Sequence, residues 1–298
     1  MRIMVIGRNG QLAGALAAAA PDGCVLFGRD DIDIFDADAL AAAIRRVAPA
    51  AIVNTAAWTA VDAAETQTGE AFSLNVTAAR MVAEAAAAAG VPLLHLSTDY
   101  VFDGNPGRPW REDDPLSPKS VYGRSKVAGE KAVLETGARA LVIRTSWIYS
   151  ATGSNFLLTM LRLGARQKEL RVVDDQTGGP TYAGDLAGGL LRIAARFAGN
   201  AADAGGVLHL AAAGSTTWHG LALAIFSHAA RRGWPVPASV LPVSTAAFGA
   251  PAPRPAWSVL DCSRARERYA VALPEWRDGV ARCIASMAEP PQDNASGS

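Results

Sequence analysis

Short apolar runs and alanine-rich amphipathic stretches alternate through the first half of the chain. The runs "RIMVI" (2–6), "AIVN" (51–54), "PLLHLS" (92–97) and "ALVIRT" (140–145) read as buried strands. Apolar residues at helical spacing mark helices near 11–20, 37–48, 67–89 and 119–136. Strands apolar on both faces, separated by helices, predict a parallel sheet covered by helices on both sides. The alanine runs at 17–20 and 85–89 fit close-packed helices, because Leu, Val and Met punctuate them at helical intervals.

Beyond about residue 148 the pattern loosens. A helix is expected over 155–170, then strand, turn and helix over 170–197. One more buried strand is expected over 206–214 and helices over 217–232 and 274–288, flanking a proline-rich segment at 234–257. This predicts a main domain over 1–148, to which 182–213 returns, and a smaller lobe from 149–181 and 214–288. The tail 289–298, "EPPQDNASGS", is expected to be disordered.

Composition narrows the functional classes. The chain has 298 residues, half of them hydrophobic, which is ample for a large core. Its net charge is zero, so nucleic-acid or anionic-membrane partners held by bulk charge are not expected, which leaves a local basic pocket open. Cys24, Cys262 and Cys283 are scattered and odd in number, as expected of structural thiols in a reducing compartment. With "MRIMVIG" running straight into a strand, and no apolar window of spanning length, the expected location is the cytoplasm. His95, His209, His219 and His228 are dispersed, and the first and second of these read as core residues. No metal cluster is expected. The glycosylation patterns at 75–77 and 294–296 are chance matches in such a chain.

Candidate chemistry starts at "GRNGQLAG", directly after the first strand and opening a helix. Gly7 and Gly10 let the backbone approach a pyrophosphate, and the helix start supplies amide donors from Asn9, Gln11 and Leu12. The second strand, in "CVLFGRDDIDI", has its tip placed at Gly28–Arg29. Arg29 would meet a 2′-phosphate, favouring NADPH; a register shift would bring Asp30 or Asp31 to a ribose instead, leaving NADH open. Asp33 and Ile34 stand near the adenine in this reading. After the third strand, Ala56, Ala57 and Trp58 line the crevice at the sheet's carboxyl edge. Asp62 and Glu65 read as charges for the first turn of the next helix.

The stretch "LSTDYVFDG" delivers Ser97, Thr98 and Asp99 to the same edge, and "VYGRSK" follows. Tyr122 and Lys126 are four apart and share a helix face. A tyrosine–lysine pair at that spacing is commonly a solvated surface. Beside a strand-end hydroxyl and a glycine loop it becomes a proton donor: Tyr122 protonates a carbonyl oxygen, Thr98 binds that oxygen, and Lys126 lowers the phenol's pKa.

Together, "GxxGQL", "VNTAAWTAVDxAE", "STDYVFDG", "YGRSKxxGE", "RTSWIY", "NFLLTML", "VVDDQTGGPT" and "PRPAWSVLD" resemble the extended short-chain dehydrogenase/reductase superfamily. Within it, they resemble the dTDP-4-dehydrorhamnose reductase family, over residues 3 to about 261. The resemblance implies an α/β fold with a Rossmann-type doubly wound parallel sheet and a smaller C-terminal substrate-binding lobe. It implies reduction of the C4 ketone of a dTDP-linked 4-keto-6-deoxy sugar by NADPH or NADH, in a monomer or homodimer. By resemblance, Thr98, Asp99 and Trp147 touch the sugar, while Asn155, Phe156 and Arg254 place the nucleotide. Some members of this family dimerise around Mg2+ through helix carboxylates; Ala15 and Gly184 stand at the corresponding positions here and speak against that. Two other readings stay open. A related nucleotide-sugar epimerase would retain tightly bound NAD. A non-catalytic cofactor-binding regulatory subunit would have no need of Thr98, Tyr122 and Lys126 together.

Overall fold

The computed structural model describes residues 1–105 and 107–291. In chain order it contains β1 (Ile3–Ile6), α1 (Gln11–Ala19), β2 (Cys24–Phe27), α2 (Ala37–Val47) and β3 (Ala51–Asn54). Then come α3 (Val61–Ala64), α4 (Thr68–Phe72), a π-helical turn (Ser73–Ala78), α5 (Ala79–Ala88), β4 (Leu93–Thr98), α6 (Val121–Leu134) and β5 (Ala140–Thr145). The remainder comprises β6 (Ile148–Tyr149), α7 (Phe156–Gly164), β7 (Glu169–Val173), β8 (Thr177–Gly178), β9 (Thr181–Tyr182), α8 (Ala183–Gly199) and β10 (Gly205–His209). It closes with β11 (Thr216–Thr217), α9 (Trp218–Arg231), β12 (Ser239–Val243), α10 (Thr245–Phe248), α11 (Ser263–Tyr269) and α12 (Trp276–Ala285).

Six parallel strands form the central sheet in the order β10-β5-β4-β3-β1-β2. β1, β3, β4 and β5 are buried along their whole length, as a sheet covered on both faces requires. One face packs Leu12, Ala13 and Leu16 of α1 with Leu186, Leu190 and Phe197 of α8. The other packs Leu40 and Ile44 of α2 with Ala79, Val82, Ala83 and Ala86 of α5. The alanines let α5 lie close to the strands. The chain reverses its winding between β1 and β3, and doubly wound sheets open a ligand crevice at such a point.

A second core lies outside the sheet. Leu157 and Leu161 of α7, Leu170 and Val172 of β7, Ile225 and Phe226 of α9, and Trp276, Val280 and Ile284 of α12 pack together. β7 and β12 pair in parallel beside it.

Several expected elements are shorter or broken. The helix expected over 67–89 is α4, the π-helical turn and α5. The wide turn carries Asn75, whose side chain is spent on tertiary bonds described below. The helix expected over 155–170 stops at Gly164, because Glu169–Val173 pairs with β12. The strand expected over 206–214 ends at His209, and the chain then leaves the sheet, with Ala213 bridging to Glu275. Of the tail, residues 292–298, including the pattern at 294–296, lie outside the described residues.

Candidate active site

The glycine loop sits in the β1–β3 crevice. Gly7 has φ +112°, and a Cβ there would come within 2.5 Å of Thr55 Oγ1 and 2.9 Å of Ala56 N. Only glycine fits. α1 begins at Gln11 behind Gly10 with no side-chain cap and no acid in its first turn. The first-turn amides and the positive end of the helix dipole are therefore available to an anionic group. A cavity of about 1120 Å3 runs from Gly7, Asn9 and Gly10 past Gly28, Arg29, Asp33 and Ile34 to Ala56, Ala57 and Trp58. A second, of about 440 Å3, shares Asn9, Gly10, Thr55 and Ala57 with it. It continues past Gln11 and Leu12 to Thr98, Asp99, Tyr122, Lys126 and Trp147. The cradle without room for side chains and the uncapped helix fit a dinucleotide diphosphate; the two joined cavities fit its two halves.

α6 carries the chemistry. Its N-terminus is fixed twice: Ser120 Oγ accepts from Gly123 N at 3.0 Å, and Glu65 Oε1 accepts from Val121 N at 2.8 Å. Glu65 thus serves α6 and not the first turn of its own helix. Lys126 Nζ donates to the carbonyl of Leu96 at 2.7 Å, holding the helix to β4. Glu130, one turn further, accepts from Ser97 Oγ at 2.5 Å and takes a two-pronged ion pair from Arg144 at 2.9 and 2.7 Å. Arg144 also donates to the carbonyl of Glu112, and its guanidinium lies over the Phe102 ring. This buried network joins β4, α6 and β5 directly beneath Tyr122 and Lys126.

Asn75 holds the opposite side. Its amide donates to Ser125 Oγ at 2.8 Å and to Trp58 O, while its oxygen accepts from Trp58 N at 2.8 Å. It ties the crevice loop to the helix bearing Tyr122. The π-helical turn approaches α6 so closely that a Cβ on Gly129 would fall 2.1 Å from Asn75 O. Gly129→Ala is expected to cost about 1–3 kcal/mol by overpacking. Denaturant unfolding of the variant checks this; a midpoint equal to the wild type's would show the backbone contact to be loose.

Burial governs the electrostatics. Tyr122 is 9% exposed, and desolvation pushes its phenol up to about 12, against the opposing hydrogen bond from Thr98. The sequence reading had Lys126 lowering it. Instead the ammonium is directed at Leu96 O, and the buried phenol holds its proton at neutral pH, as a general acid must. Lys126 is itself brought down to about 8 by burial, with Glu130 opposing.

Asp99 is 2% exposed; its Oδ1 accepts from Thr98 Oγ1 at 3.1 Å and its Oδ2 has no partner. Burial pushes it up to about 7 from 3.8, opposed by the Ser258 and Thr98 hydroxyls. The folded state therefore binds this proton more tightly than the unfolded chain. The associated stability is full below the unfolded value and is lost as pH rises through about 7. Asp99→Asn is expected to gain stability relative to wild type as pH rises from 5 to 8, by up to about 3 kcal/mol. Urea unfolding at both pH values measures the gap; parallel pH profiles would contradict it.

The remaining candidates are placed as follows. Trp147 borders the smaller cavity in a left-handed conformation, φ +43°, and stacks on Trp218 at 3.5 Å. Phe156 leans on Trp218 at 4.7 Å. Asn155 is occupied at home: it caps α7 through Leu158 N and donates to Gln11 Oε1 at 2.8 Å. Arg254 pairs with Asp62 at 2.8 Å and stands beside Tyr100. Asp62 also accepts from Ala252 N, so it pins the 252–254 loop in addition to charging the first turn of α3. Of the two acids offered for the tip of β2, Asp31 is the one bonded to it. The Asp31 carboxylate folds back to accept from Gly28 N at 2.6 Å and forms an ion pair with Arg8.

Sequence reasoning missed Glu130–Arg144, Asn75 and Arg8. An arginine inside the apolar strand "ALVIRT" was a signal, since a buried charge demands a partner. Glu130, four residues after Lys126 on the same face, was the partner to look for.

A doubly wound sheet, a glycine cradle and a buried tyrosine–lysine pair on one edge define a dinucleotide-binding reductase of Rossmann type. The RmlD substrate binding domain family model matches residues 1–289, and the chain belongs to this family. It is 43% identical over 288 residues to a dTDP-4-dehydrorhamnose reductase of Sinorhizobium fredii, covering 95% of this chain and 97% of that one. It is 41% identical over 295 residues to one of Burkholderia thailandensis, covering 96% and 99%. Among solved structures it is similar to dTDP-4-dehydrorhamnose reductase from Bacillus anthracis in complex with NADP, with TM-score 0.88, 34% identity, and 96% and 99% of the chains covered. Among the described residues, no helix is long and apolar enough to cross a membrane.

Proposed function

We propose that this chain reduces the C4 ketone of dTDP-4-dehydro-β-L-rhamnose to dTDP-β-L-rhamnose, using NADPH, with NADH as a second donor. The observation that carries this is the convergence of Thr98, Tyr122 and Lys126 on a cavity continuous with the glycine cradle, in a chain of this family. The nicotinamide nucleotide, when bound, supplies the hydride. Gly7, Asn9, Gly10, Gln11 and Leu12 hold its diphosphate, and Ala56, Ala57 and Trp58 wall the crevice. Arg29, Asp33 and Ile34 border its adenosine half.

Tyr122 donates its proton to the ketone oxygen as that oxygen becomes an alkoxide, and Thr98 hydrogen-bonds the same atom. Lys126, fixed on Leu96 O, holds the nucleotide ribose. Asp99 hydrogen-bonds a sugar hydroxyl. Trp147 walls the sugar site, Phe156 borders the nucleotide, and Arg254, partly engaged by Asp62, reaches the diphosphate. Asn155 acts through Gln11 and the α7 cap. The N-terminal sheet unit, 1–148 with 182–213, binds the cofactor; 149–181 and 214–288 bind the substrate. The same reading puts the reaction in the cytoplasm, with a nucleotide sugar and no nucleic acid or membrane as partner, in a monomer or homodimer.

The test is incubation with NADPH and enzymatically made dTDP-4-dehydro-L-rhamnose, with the product identified by mass and NMR. Formation of dTDP-L-rhamnose is expected. Its absence, with cofactor bound, would move the assignment to another nucleotide sugar.

A further inference from the structure

Trp147 holds a backbone conformation that side chains avoid. Its φ of +43° lies in the left-handed region, which a bulky residue keeps only where its surroundings fix it. Three neighbours do so. The Trp147 carbonyl accepts from Thr181 N at 3.1 Å. The indole stacks on that of Trp218, with ring centres 3.5 Å apart and planes inclined by 4°. Gly178 leaves it room: a Cβ there would lie 2.6 Å from Trp147 Cζ2 and 2.7 Å from its Nε1.

These neighbours are themselves anchored. Trp218 Nε1 donates to Gln176 Oε1 at 3.1 Å, and the buried Gln176 amide donates to Thr245 Oγ1 at 2.9 Å. Phe156 leans on the Trp218 ring from α7. Gln176 and Gly178 flank Thr177, and β8 pairs with β11, which leads directly into Trp218. Thr177 N donates to Ala256 O at 2.8 Å, and Thr177 O accepts from Ser258 N at 2.8 Å, so β8 is held by the 256–258 segment as well. One short ribbon thus presents both Gly178 and Trp218 to the indole. The stretch "VVDDQTGGPT" supplies Gln176 and Gly178, yet takes no part in the chemistry described above.

We propose that Trp218, Gln176 and Gly178 are positioning residues for the sugar wall: they clamp the Trp147 indole at one angle, so that the substrate meets a preformed apolar face. This rests on the reading above, in which Trp147 walls the sugar site. None of the three has to touch the sugar. Because the face is set before the sugar arrives, binding does not have to order it. A wall touches ground state and transition state alike, so its loss shows in KM and not in kcat.

Steady-state kinetics of the full chain, with saturating NADPH and varied dTDP-4-dehydro-L-rhamnose, test the clamp. Trp147→Ala sets the scale and is expected to raise KM for the sugar by about 10-fold or more. Trp218→Ala is expected to raise it by about 3- to 10-fold, the value of one aromatic pair, with kcat within about twofold of wild type. Trp218→Phe keeps a ring to stack on and should restore most of the lost KM. Gly178→Ala should raise KM at least as much as Trp218→Ala, because its methyl displaces the indole; if that variant does not fold, the Trp218 pair decides. Unchanged KM in Trp218→Ala, with Trp147→Ala impaired, overturns the clamp alone. So does a fall in kcat at unchanged KM in Trp218→Ala, the mark of a smaller folded fraction. Unchanged KM in Trp147→Ala overturns the sugar wall and the clamp together, and a wild type that does not turn over this sugar overturns the reductase reading and the clamp with it.

Discussion

Tyr122→Phe is expected to slow ketone reduction by about 10²–10⁴-fold, the usual contribution of a positioned general acid. Cofactor affinity should stay within about twofold of wild type, because the change removes one hydroxyl and keeps the ring. That ring stands edge-on to Tyr100 at 5.8 Å and packs with Val121, Ala64 and Ala71, contacts that phenylalanine preserves. Steady-state rates with NADPH and the keto sugar, alongside cofactor titration, separate the two effects. Retained turnover would remove Tyr122 from proton delivery. A parallel loss of cofactor binding would recast it as a structural residue.

The second large effect concerns stability. Arg144→Met is expected to cost about 3–5 kcal/mol, since it leaves the Glu130 carboxylate buried without its cation. Both partners are 3% exposed, so solvent does not rescue the survivor. The double variant Glu130→Met, Arg144→Met should recover much of the loss, because two apolar side chains leave no orphan charge. Its residual cost falls on Ser97, whose hydroxyl loses its acceptor, and on the Glu112 carbonyl, which loses the Arg144 donor. Denaturant midpoints of the wild type, the single variant and the double variant read this directly. Equal destabilisation of both variants would show that the pair's value lies in packing and not in charge compensation.

The parts of the fold legible in the sequence are those with one dominant local cause. "RIMVI", "AIVN" and "ALVIRT" are apolar on both faces and can only be interior strands. The glycine loop was readable because Gly7 must adopt a φ that other residues avoid. Tyr122 and Lys126 were readable because helical spacing alone sets them side by side. What escaped depends on distant partners. Asn75 looks like one more polar residue in an alanine-rich helix, until a π-helical turn points it at Trp58 and Ser125. Asp62 looked like a helix charge because its partner Arg254 lies 192 residues away. Asp31 was named with Asp30 as an acid for the ribose, but its bond to Gly28 N and its pairing with Arg8 escaped, because the backbone turn that joins them has no spacing signature.

The reversal at Tyr122 has the same origin. Sequence places a lysine one turn away and suggests a lowered phenol pKa. Burial, which sequence shows poorly, dominates and raises it. For a reductase this direction is the useful one: the acid enters the reaction protonated, and the developing alkoxide, a stronger base than the phenolate, takes the proton.

The most direct measurement uses NADPH carrying deuterium at the transferable position of the nicotinamide, with dTDP-4-dehydro-L-rhamnose as substrate. The account predicts dTDP-L-rhamnose with deuterium bonded to C4 of the sugar, in step with oxidation of the cofactor. Product without deuterium, or with deuterium at another carbon, would contradict it.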